Sequence, residues 1–286
     1  MNVREFKLIN EKGQQYSFMD IHNYCLLSNP EGFGYSFSAS YEKLGEVFVN
    51  YIREQEQGTL SGTCNFLKYD NYTELVNFIE NSKKLKFSYK VPYRNQPSIE
   101  YFKDVIFKSI GKTEKQLNGM LSCPISFEMS SLWYEENEYI YEIKSKENEV
   151  RWNFRWASRW TNYNSRKIIF NNKGHTEAPF YLEIDGQVVN PEILIEDNSN
   201  NILFHLELPI TIELHEKLIY SSIDGQIQIA KQNIDGTIES LFRQRYIDFS
   251  NNSIFKLPQG LNNITLQAEN NIANAVLKIY PYYRSV

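Results

Sequence analysis

The sequence has 286 residues, of which 42% are hydrophobic and 15% aromatic, so it can bury a substantial core, and its length is typical of two domains. The formal net charge is -5 and the pI is near 5.6, so the chain lacks the excess of positive charge that attracts nucleic-acid phosphates or anionic lipids. No secretory signal is visible at the N-terminus, and no apolar run approaches the ~18 residues of a membrane span. The composition therefore predicts a soluble protein that neither binds nucleic acid nor inserts into a membrane.

The first half of the chain is dominated by the alternation of apolar and polar residues that is typical of strands with one buried face. This alternation predicts such strands over 35–41, 85–91 and 117–129. Pro124, in the last of them, cannot donate a backbone hydrogen bond, which predicts an edge position or a bulge. The polar segment 53–58 is predicted to be a connection that faces solvent or the lumen of an assembly, where its acidic residues would repel DNA.

A single segment of the first half has helical spacing, with apolar residues at Tyr72, Leu75, Val76 and Ile79. Asn71 is placed to cap this helix, and Glu74 completes the capping-box pattern. Lys83 and Lys84 would then lie near the negative end of the helix dipole. The spacing predicts one helix over 71–82.

The three cysteines, Cys25, Cys64 and Cys123, are odd in number and lie about 40 and 60 residues apart. This spacing fits neither a disulfide framework nor a metal knuckle. We expect the three thiols to pack in the core of a protein that is made in a reducing cytoplasm.

Charged residues crowd positions 135–149, and we place a domain boundary there, between domains 1–140 and 141–286. Part of this segment, 139–143, is apolar enough to pair as a strand. Beyond it, the tripeptide Ile-Asp-Gly ends at Gly186, Gly225 and Gly236, and Asp-Gly between apolar runs indicates a hairpin turn. The second half is therefore predicted to be an antiparallel sandwich.

The run 202–215 is the strongest candidate for a hidden active site, because one parity is apolar and the other carries acids and histidines. These polar residues are His205, Glu207, Thr211, Glu213 and His215. In a continuous strand Glu207 and Glu213 would lie ~20 Å apart, whereas glycosidase carboxylates are roughly 5 to 10 Å apart. Unless Pro209 bends the chain, we interpret the run as a solvated strand face. Motifs for a nucleophile, metal, phosphate or dinucleotide are absent, so the sequence predicts no catalytic residue, metal or cofactor.

An unusual segment, 150–163, repeats tryptophan and arginine at every fourth position. As a helix it would form an aromatic stripe beside a cationic one, and as a strand it would bury an aromatic row opposite a solvated cationic row. Phe154 fits only the strand period, so we favour the strand. The alternative role is a platform on which a sugar ring stacks, for which the candidate residues are Trp156, Trp160 and Tyr163.

The order strand, helix, strand and long alternating strand resembles the N-terminal domain of distal tail proteins of phages that infect Gram-positive bacteria. The resemblance is carried by Gly-Thr-Cys-Asn-Phe at 62–66, the helix, Leu-Lys-Phe-Ser-Tyr at 85–89, the segments 103–114 and 121–127, and Trp133. The second half is similar to the family's C-terminal galectin-like domain through 174–179, 184–186 with Asn190-Pro191, and 255–262.

The resemblance implies a mainly β fold with one short helix. Residues 1–140 would be the β-barrel-like tail-hub domain that forms the ring, and 141–286 a galectin-like antiparallel β-sandwich. It implies a non-enzymatic structural protein of the virion tail tip, assembled in the host bacterial cytoplasm as a homohexameric ring.

Such a ring joins the tail tube protein to the tail-associated hub or lysin protein, with receptor-binding or side-fibre proteins at the periphery. The second half has no large insertion, which argues against direct docking of receptor-binding proteins. The alternatives are a carbohydrate-binding module for cell-wall glycans, the equivalent subunit of a phage-tail-like bacteriocin, and a hydrolase that uses Glu207 and Glu213.

Overall fold

The computed structural model describes residues 4–19, 25–92, 97–114, 119–145, 168–243, 254–269 and 273–286. The chain divides into two units: unit 1 comprises Met1–Glu135 with Tyr282–Val286, and unit 2 comprises Glu136–Pro281. The described residues form mainly antiparallel strands and one α-helix, which confirms the predicted mainly β fold. In these parts of the chain, no helix has the length and apolar composition that crossing a bilayer requires.

Unit 1 contains one large sheet, one hairpin and the helix. Its elements are β1 (Glu5–Asn10), β2 (Gln15–Ser17), β3 (Cys25–Glu31), β4 (Phe37–Leu44), β5 (Val47–Gln55), β6 (Thr59–Phe66), α1 (Tyr69–Glu80), β7 (Leu85–Val91), β8 (Ile99–Ile110), β9 (Leu121–Met129), β10 (Trp133–Tyr134) and β23 (Tyr282–Tyr283). The large sheet follows the order β2-β1-β7-β8-β9-β6-β3, and β10 pairs with both β8 and β23. The hairpin β4–β5 is a separate two-stranded sheet.

Among the described residues, the large sheet of unit 1 is open and does not close into a barrel. Its edge strands are β2 and β3, and no ladder joins them among the described residues. Within the described residues, one backbone hydrogen bond bridges the two ends, from the N–H of Leu27 to the carbonyl oxygen of Phe18 at 3.1 Å. This one bond does not close the sheet, and the other backbone N–H and C=O groups on the outer edges of β2 and β3 lie outside a ladder.

Strand β7 coincides with the predicted strand over 85–91, whereas β9 covers only 121–129 of the strand predicted over 117–129. Pro124 lies within β9, which is flanked by β6 and β8, so the predicted edge position is wrong. The irregularity that a proline requires is found instead in β8, where the register with β9 shifts between Phe107 and Ser109. The amide of Gly111 donates to the carbonyl oxygen of Pro124 at 2.8 Å, which keeps the two strands together beyond the shift.

The helix begins two residues before the predicted range 71–82, and its N-cap lies three residues before the predicted cap, Asn71. Its N-cap is Lys68, whose side chain makes no capping hydrogen bond, and Asp70 supplies the acidic side chain of the first turn. Asn71 and Glu74 therefore lie inside the helix, and the predicted capping box is wrong. The predicted apolar face is correct at Leu75 and Ile79, which are buried against the sheet.

The predicted core position of the three cysteines is confirmed. All three thiols are free and buried, and Cys64 of β6 lies opposite Cys123 of β9. A hydrogen bond with Cys25 and burial raise the pKa of the Cys64 thiol well above its usual range. A thiol in this environment stays protonated and unreactive.

A lysine is buried in the aromatic core of unit 1. Lys103 of β8 is only 3% exposed, lies opposite Phe87 in the register with β7, and has its Nζ 5.0 Å from the centroid of the Trp133 ring. Within the described residues its ammonium makes no ion pair, so burial lowers the pKa of Lys103 to about 8. The cation–π contact offsets only part of the desolvation cost.

Residues from the far end of the sequence complete unit 1. Tyr283 of β23 pairs with Trp133 of β10, and its ring meets that of Tyr101 edge-on at 5.3 Å between centroids. Val286 also packs on the core of this unit. No sequence pattern predicted this return of the chain.

We expect Tyr283→Ala to destabilise unit 1 by roughly 2 kcal/mol, because a half-buried aromatic side chain loses its packing against Tyr101. Hydrogen exchange of the β8 and β10 amides would measure this as faster exchange. The matched control is Ile140→Ala in unit 2, a side chain that is 79% exposed and should leave those amides unchanged. Unchanged hydrogen-exchange protection of the β8 amides in Tyr283→Ala would contradict a contribution of β23 to the stability of unit 1.

Unit 2 is a sandwich of two connected layers. Its strands are β11 (Asn137–Ser145), β12 (Ile168–Asn172), β13 (Phe180–Asp185), β14 (Val188–Val189), β15 (Glu192–Asp197), β16 (Ile202–Glu207), β17 (Thr211–Ile212), β18 (Lys217–Ser221), β19 (Gln228–Gln232), β20 (Ile238–Ser240), β21 (Gly260–Ala268) and β22 (Ala273–Ile279). The order is β16-β15-β21-β11-β22-β13-β18-β19-β20, with β12 on β21. Phe204 of one layer and Tyr220 of the other share the core, with ring centroids 6.1 Å apart. The predicted galectin-like character of this sandwich stays a prediction.

The three Ile-Asp-Gly turns do not all form hairpins. Gly225 lies between β18 and β19, and Gly236 between β19 and β20, which are antiparallel neighbours as predicted. Gly186 follows β13, whose partners are β18 and β22, so the chain turns there without forming a hairpin. All three glycines have positive φ, which accounts for glycine at these positions.

Candidate functional site

The acidic run 202–215 does not form the continuous strand of the prediction. It is interrupted after Glu207, where Leu208 donates its N–H to the carbonyl oxygen of Pro191, and the chain resumes as β17. His205 Nε2 lies 2.7 Å from Glu192 Oε1, and the Glu213 amide donates to Glu216 Oε2 at 2.8 Å. Among the described residues no group of three or more histidine, cysteine or acidic side chains is arranged to hold a metal ion.

The candidate carbohydrate-binding residues Trp156, Trp160 and Tyr163 lie outside the described residues. The predicted strand over 150–163 lies there as well. Their role in sugar stacking stays a prediction.

The most unusual surface feature is the β4–β5 hairpin of unit 1. Its strands are joined by a two-residue turn, with Leu44 opposite Val47 and with Gly45 at a φ of 66°. The register slips by one residue at Ser40 and Tyr41, which leaves Tyr51 as the extra residue of a bulge. Segment 53–55, predicted to be part of a loop, continues β5.

The hairpin is exposed on both faces, so the half-buried strand predicted over 35–41 is wrong in its burial. The structure buries neither face of β4 or β5, and Phe48 and Tyr51 are 67% and 70% exposed. The large apolar side chains exposed on or beside the hairpin are Tyr35, Tyr41, Leu44, Val47, Phe48, Val49, Tyr51 and Ile52. An apolar surface of this extent is typical of a protein–protein interface.

The root of the hairpin, residues 32–34 and 56–58, is fixed on the core of unit 1. The ring of Phe33 stacks on that of Trp133 with centroids 5.6 Å apart. Gly32 has a φ of 96°, and a Cβ at this position would lie 2.2 Å from the carbonyl oxygen of Thr59. The Met129 amide donates to the carbonyl oxygen of Gly58 at 3.0 Å on the other side of the root. The exposed strands thus project from a tightly packed base.

Such a hairpin is suited to bind protein. A two-stranded ribbon is marginally stable in water unless a further strand or surface covers it. Within the described residues, both outer edges of this ribbon lack a neighbouring strand. A partner could therefore bury its faces, extend its edges, or do both.

The sequence of β5 has a pattern that distinguishes this exposed apolar surface from a half-buried strand. In β5 the apolar residues fall on both parities, at Val47, Phe48, Val49, Tyr51 and Ile52. A strand with one solvated face does not show this pattern, whereas a strand covered on both faces does. Because the described residues of the chain do not cover β5, the pattern is typical of a strand that another surface covers.

Comparisons with known proteins agree with the fold of unit 1. Residues 5–130 match the family model described as the distal tail protein, N-terminal domain. No curated protein sequence matches the chain.

The chain is similar to solved structures over nearly its whole length. A chain of the phage P2 baseplate, in its activated conformation with calcium, has a TM-score of 0.65 at 14% identity, covering 99% of this chain and 100% of that one. The SPP1 Dit protein, described as a paradigm of the hub adsorption apparatus in phages that infect Gram-positive bacteria, has a TM-score of 0.54 at 13% identity, covering 96% and 98%. At these identities the likeness shows a shared fold.

Proposed function

We propose, from the match of residues 5–130 to the family model of the distal tail protein N-terminal domain, that the protein is a structural subunit of a phage tail tip that assembles into a ring. Unit 1 would form the ring, and unit 2 would project from it. The expected number of subunits is six, as the resemblance to the family implies. The ring would join the tail tube protein to the tail-associated hub or lysin protein.

The observation that supports this proposal is the β4–β5 hairpin with its two exposed apolar faces. Contact through one two-fold interface would bring a single neighbour and cover one face. In a closed ring each subunit has two neighbours, so both faces can be covered. A head-to-tail contact that closes on itself also leaves no free apolar surface for further association.

The experiment is to measure the mass of the purified full-length protein by light scattering after size-exclusion chromatography, and to image it by electron microscopy. We expect rings of six subunits. In the variant Phe48→Ser with Tyr51→Ser, rings should be lost or need at least about tenfold higher concentration, because central aromatic side chains dominate interface energies.

A matched control is Ile234→Ser with Ile238→Ser, two exposed apolar side chains of unit 2. This variant should form rings as the unchanged protein does. A wild-type protein that stays monomeric at every concentration would refute the proposed ring. Rings that persist in the Phe48→Ser, Tyr51→Ser variant would refute the role of the hairpin.

A further inference from the structure

The two faces of the hairpin differ in charge. Paired residues of an antiparallel ribbon share a face, and successive residues alternate between faces. The register therefore defines a basic face, which carries Phe37, Tyr41, Lys43, Phe48 and Arg53. It also defines an acidic face, which carries Glu42, Leu44, Val47, Val49, Ile52 and Glu54.

Contacts at the root follow the same division. On the basic face, the guanidinium carbon of Arg53 lies 4.1 Å from the centroid of the Phe37 ring, and that of Arg284 lies 5.5 Å from it. On the acidic face, the Ser36 hydroxyl donates to Glu56 Oε2 at 2.6 Å. Cationic groups thus collect over one face of the ribbon and carboxylates over the other.

The charged groups of the two faces are available to a partner. In the part of the chain that the structure describes, Glu42 and Glu54 form no ion pair. Lys43 forms an ion pair with Glu46, at 4.0 Å and with both side chains largely exposed, and such a surface pair contributes little stability. Pairing with another copy would therefore disrupt no strong interaction within the subunit.

Because one face of the hairpin is basic and the other acidic, the possible contacts between two hairpins differ in energy. Two basic faces, or two acidic faces, would bring like charges together at an apolar contact, which is unfavourable. A basic face against an acidic face pairs opposite charges around an apolar centre. That contact joins two different surfaces, so each copy can contact one neighbour through its basic face and another through its acidic face. A series of such contacts can close into a ring.

We propose that the basic face of the hairpin in one subunit docks on the acidic face of the hairpin in the next subunit. The inference rests on the ring proposed above and names the surfaces that form it. The occupant of each face is a second copy of this chain.

The test uses two full-length charge-reversal variants. The all-acidic variant is Lys43→Glu with Arg53→Glu, and the all-basic variant is Glu42→Lys with Glu54→Lys. Each alone carries like charges on both faces, so we expect its rings to be lost, or to need at least about tenfold higher concentration than those of the wild-type protein. An equal mixture should restore rings in which the two variants alternate, because each basic face then meets an acidic one.

Mass photometry of each variant and of the mixture gives the oligomeric state, and native mass spectrometry gives the ratio of the two variants in a ring. The control is Lys12→Glu with Lys173→Glu, which makes the same change in net charge as the all-acidic variant at two exposed lysines outside the hairpin. This control should form rings normally. Thermal unfolding of every variant checks that unit 1 remains folded.

The outcomes separate this inference from the proposed ring. Wild-type rings together with rings in either variant alone would overturn the face-to-face docking and leave the ring intact. An acidic face that lined the ring opening, for example, would allow the all-basic variant to assemble. Folded variants that fail to assemble when mixed would also overturn the docking. A monomeric wild-type protein would overturn both proposals.

Discussion

Replacing Lys103 with methionine is expected to raise the free energy of unfolding of unit 1 by about 3 kcal/mol at pH 7. The lysine is buried against Trp133, and its pKa in the folded protein is about 8 against 10.5 for an exposed lysine. This difference corresponds to about 3 kcal/mol of destabilisation whenever the group must be protonated. Methionine fills a similar volume without a charge.

The lowered pKa of Lys103 also determines how the stability of unit 1 depends on pH. Between pH 8 and 10.5 the unfolded chain binds more protons at Lys103 than the folded chain, so the stability contributed by this residue rises with pH across that window. The advantage of Lys103→Met should therefore be largest below pH 8 and shrink as the pH rises. Comparing the two proteins at each pH cancels the contributions of the other titrating groups.

Urea unfolding at pH 7 and at pH 9.5, monitored for unit 1, measures both effects. Lys12→Met, at an exposed position of a turn, serves as the control and should change stability by less than about 0.5 kcal/mol. A gain below about 1 kcal/mol for Lys103→Met, or a gain that does not vary with pH, would show that the buried amine is solvated or paired.

The second large effect is expected for Gly32→Ala at the root of the hairpin, which should destabilise unit 1 by about 3 kcal/mol. The new Cβ would meet the backbone at Thr59 and Leu60, at 2.2 Å and 3.0 Å, which a rotamer change cannot relieve. The φ of 96° adds backbone strain for any residue with a side chain. Because Phe33 is the next residue, its stacking on the Trp133 ring would also be disturbed, and with it the position of the hairpin.

Gly45→Ala is the matched control, because this glycine also has a positive φ but a Cβ there meets no atom within 4 Å. It should cost only about 1 kcal/mol of left-handed strain. Chemical unfolding gives both values, and ring formation by each variant can be followed in parallel. Equal losses for the two substitutions would mean that the close approach to Thr59 is not the cause.

Sequence patterns located the elements whose side chains pack within the chain. The alternation at β7 and β9 predicted these strands because one face of each contacts the core of unit 1. The helix was predicted two residues late, because Lys68 occupies the N-cap without a side-chain hydrogen bond and leaves no motif. The sandwich of unit 2 was predicted from its turns, but the pairing of β13 was not, since partners far apart in sequence leave no local mark.

The candidate site could be predicted only in part. Alternation at 35–41 predicts a strand, of which β4 covers 37–41, and the apolar residues on both parities of β5 indicate burial on two sides. Neither pattern says whether the covering surface belongs to the same chain, because burial in an oligomer selects the same residues as burial in a core. The charge difference between the faces required the register, since the bulge at Tyr51 changes which residues of β5 share a face.

The return of the chain to β10 has a consequence for biosynthesis. Unit 2 interrupts unit 1 in the sequence, so a ribosome must translate all of unit 2 before Tyr283 can pair with Trp133. Until then the nascent unit 1 has an unprotected strand beside its aromatic core. Translation that stops within unit 2 therefore yields subunits whose first unit is weakened as well, and such defective chains are poorly suited to enter an assembly.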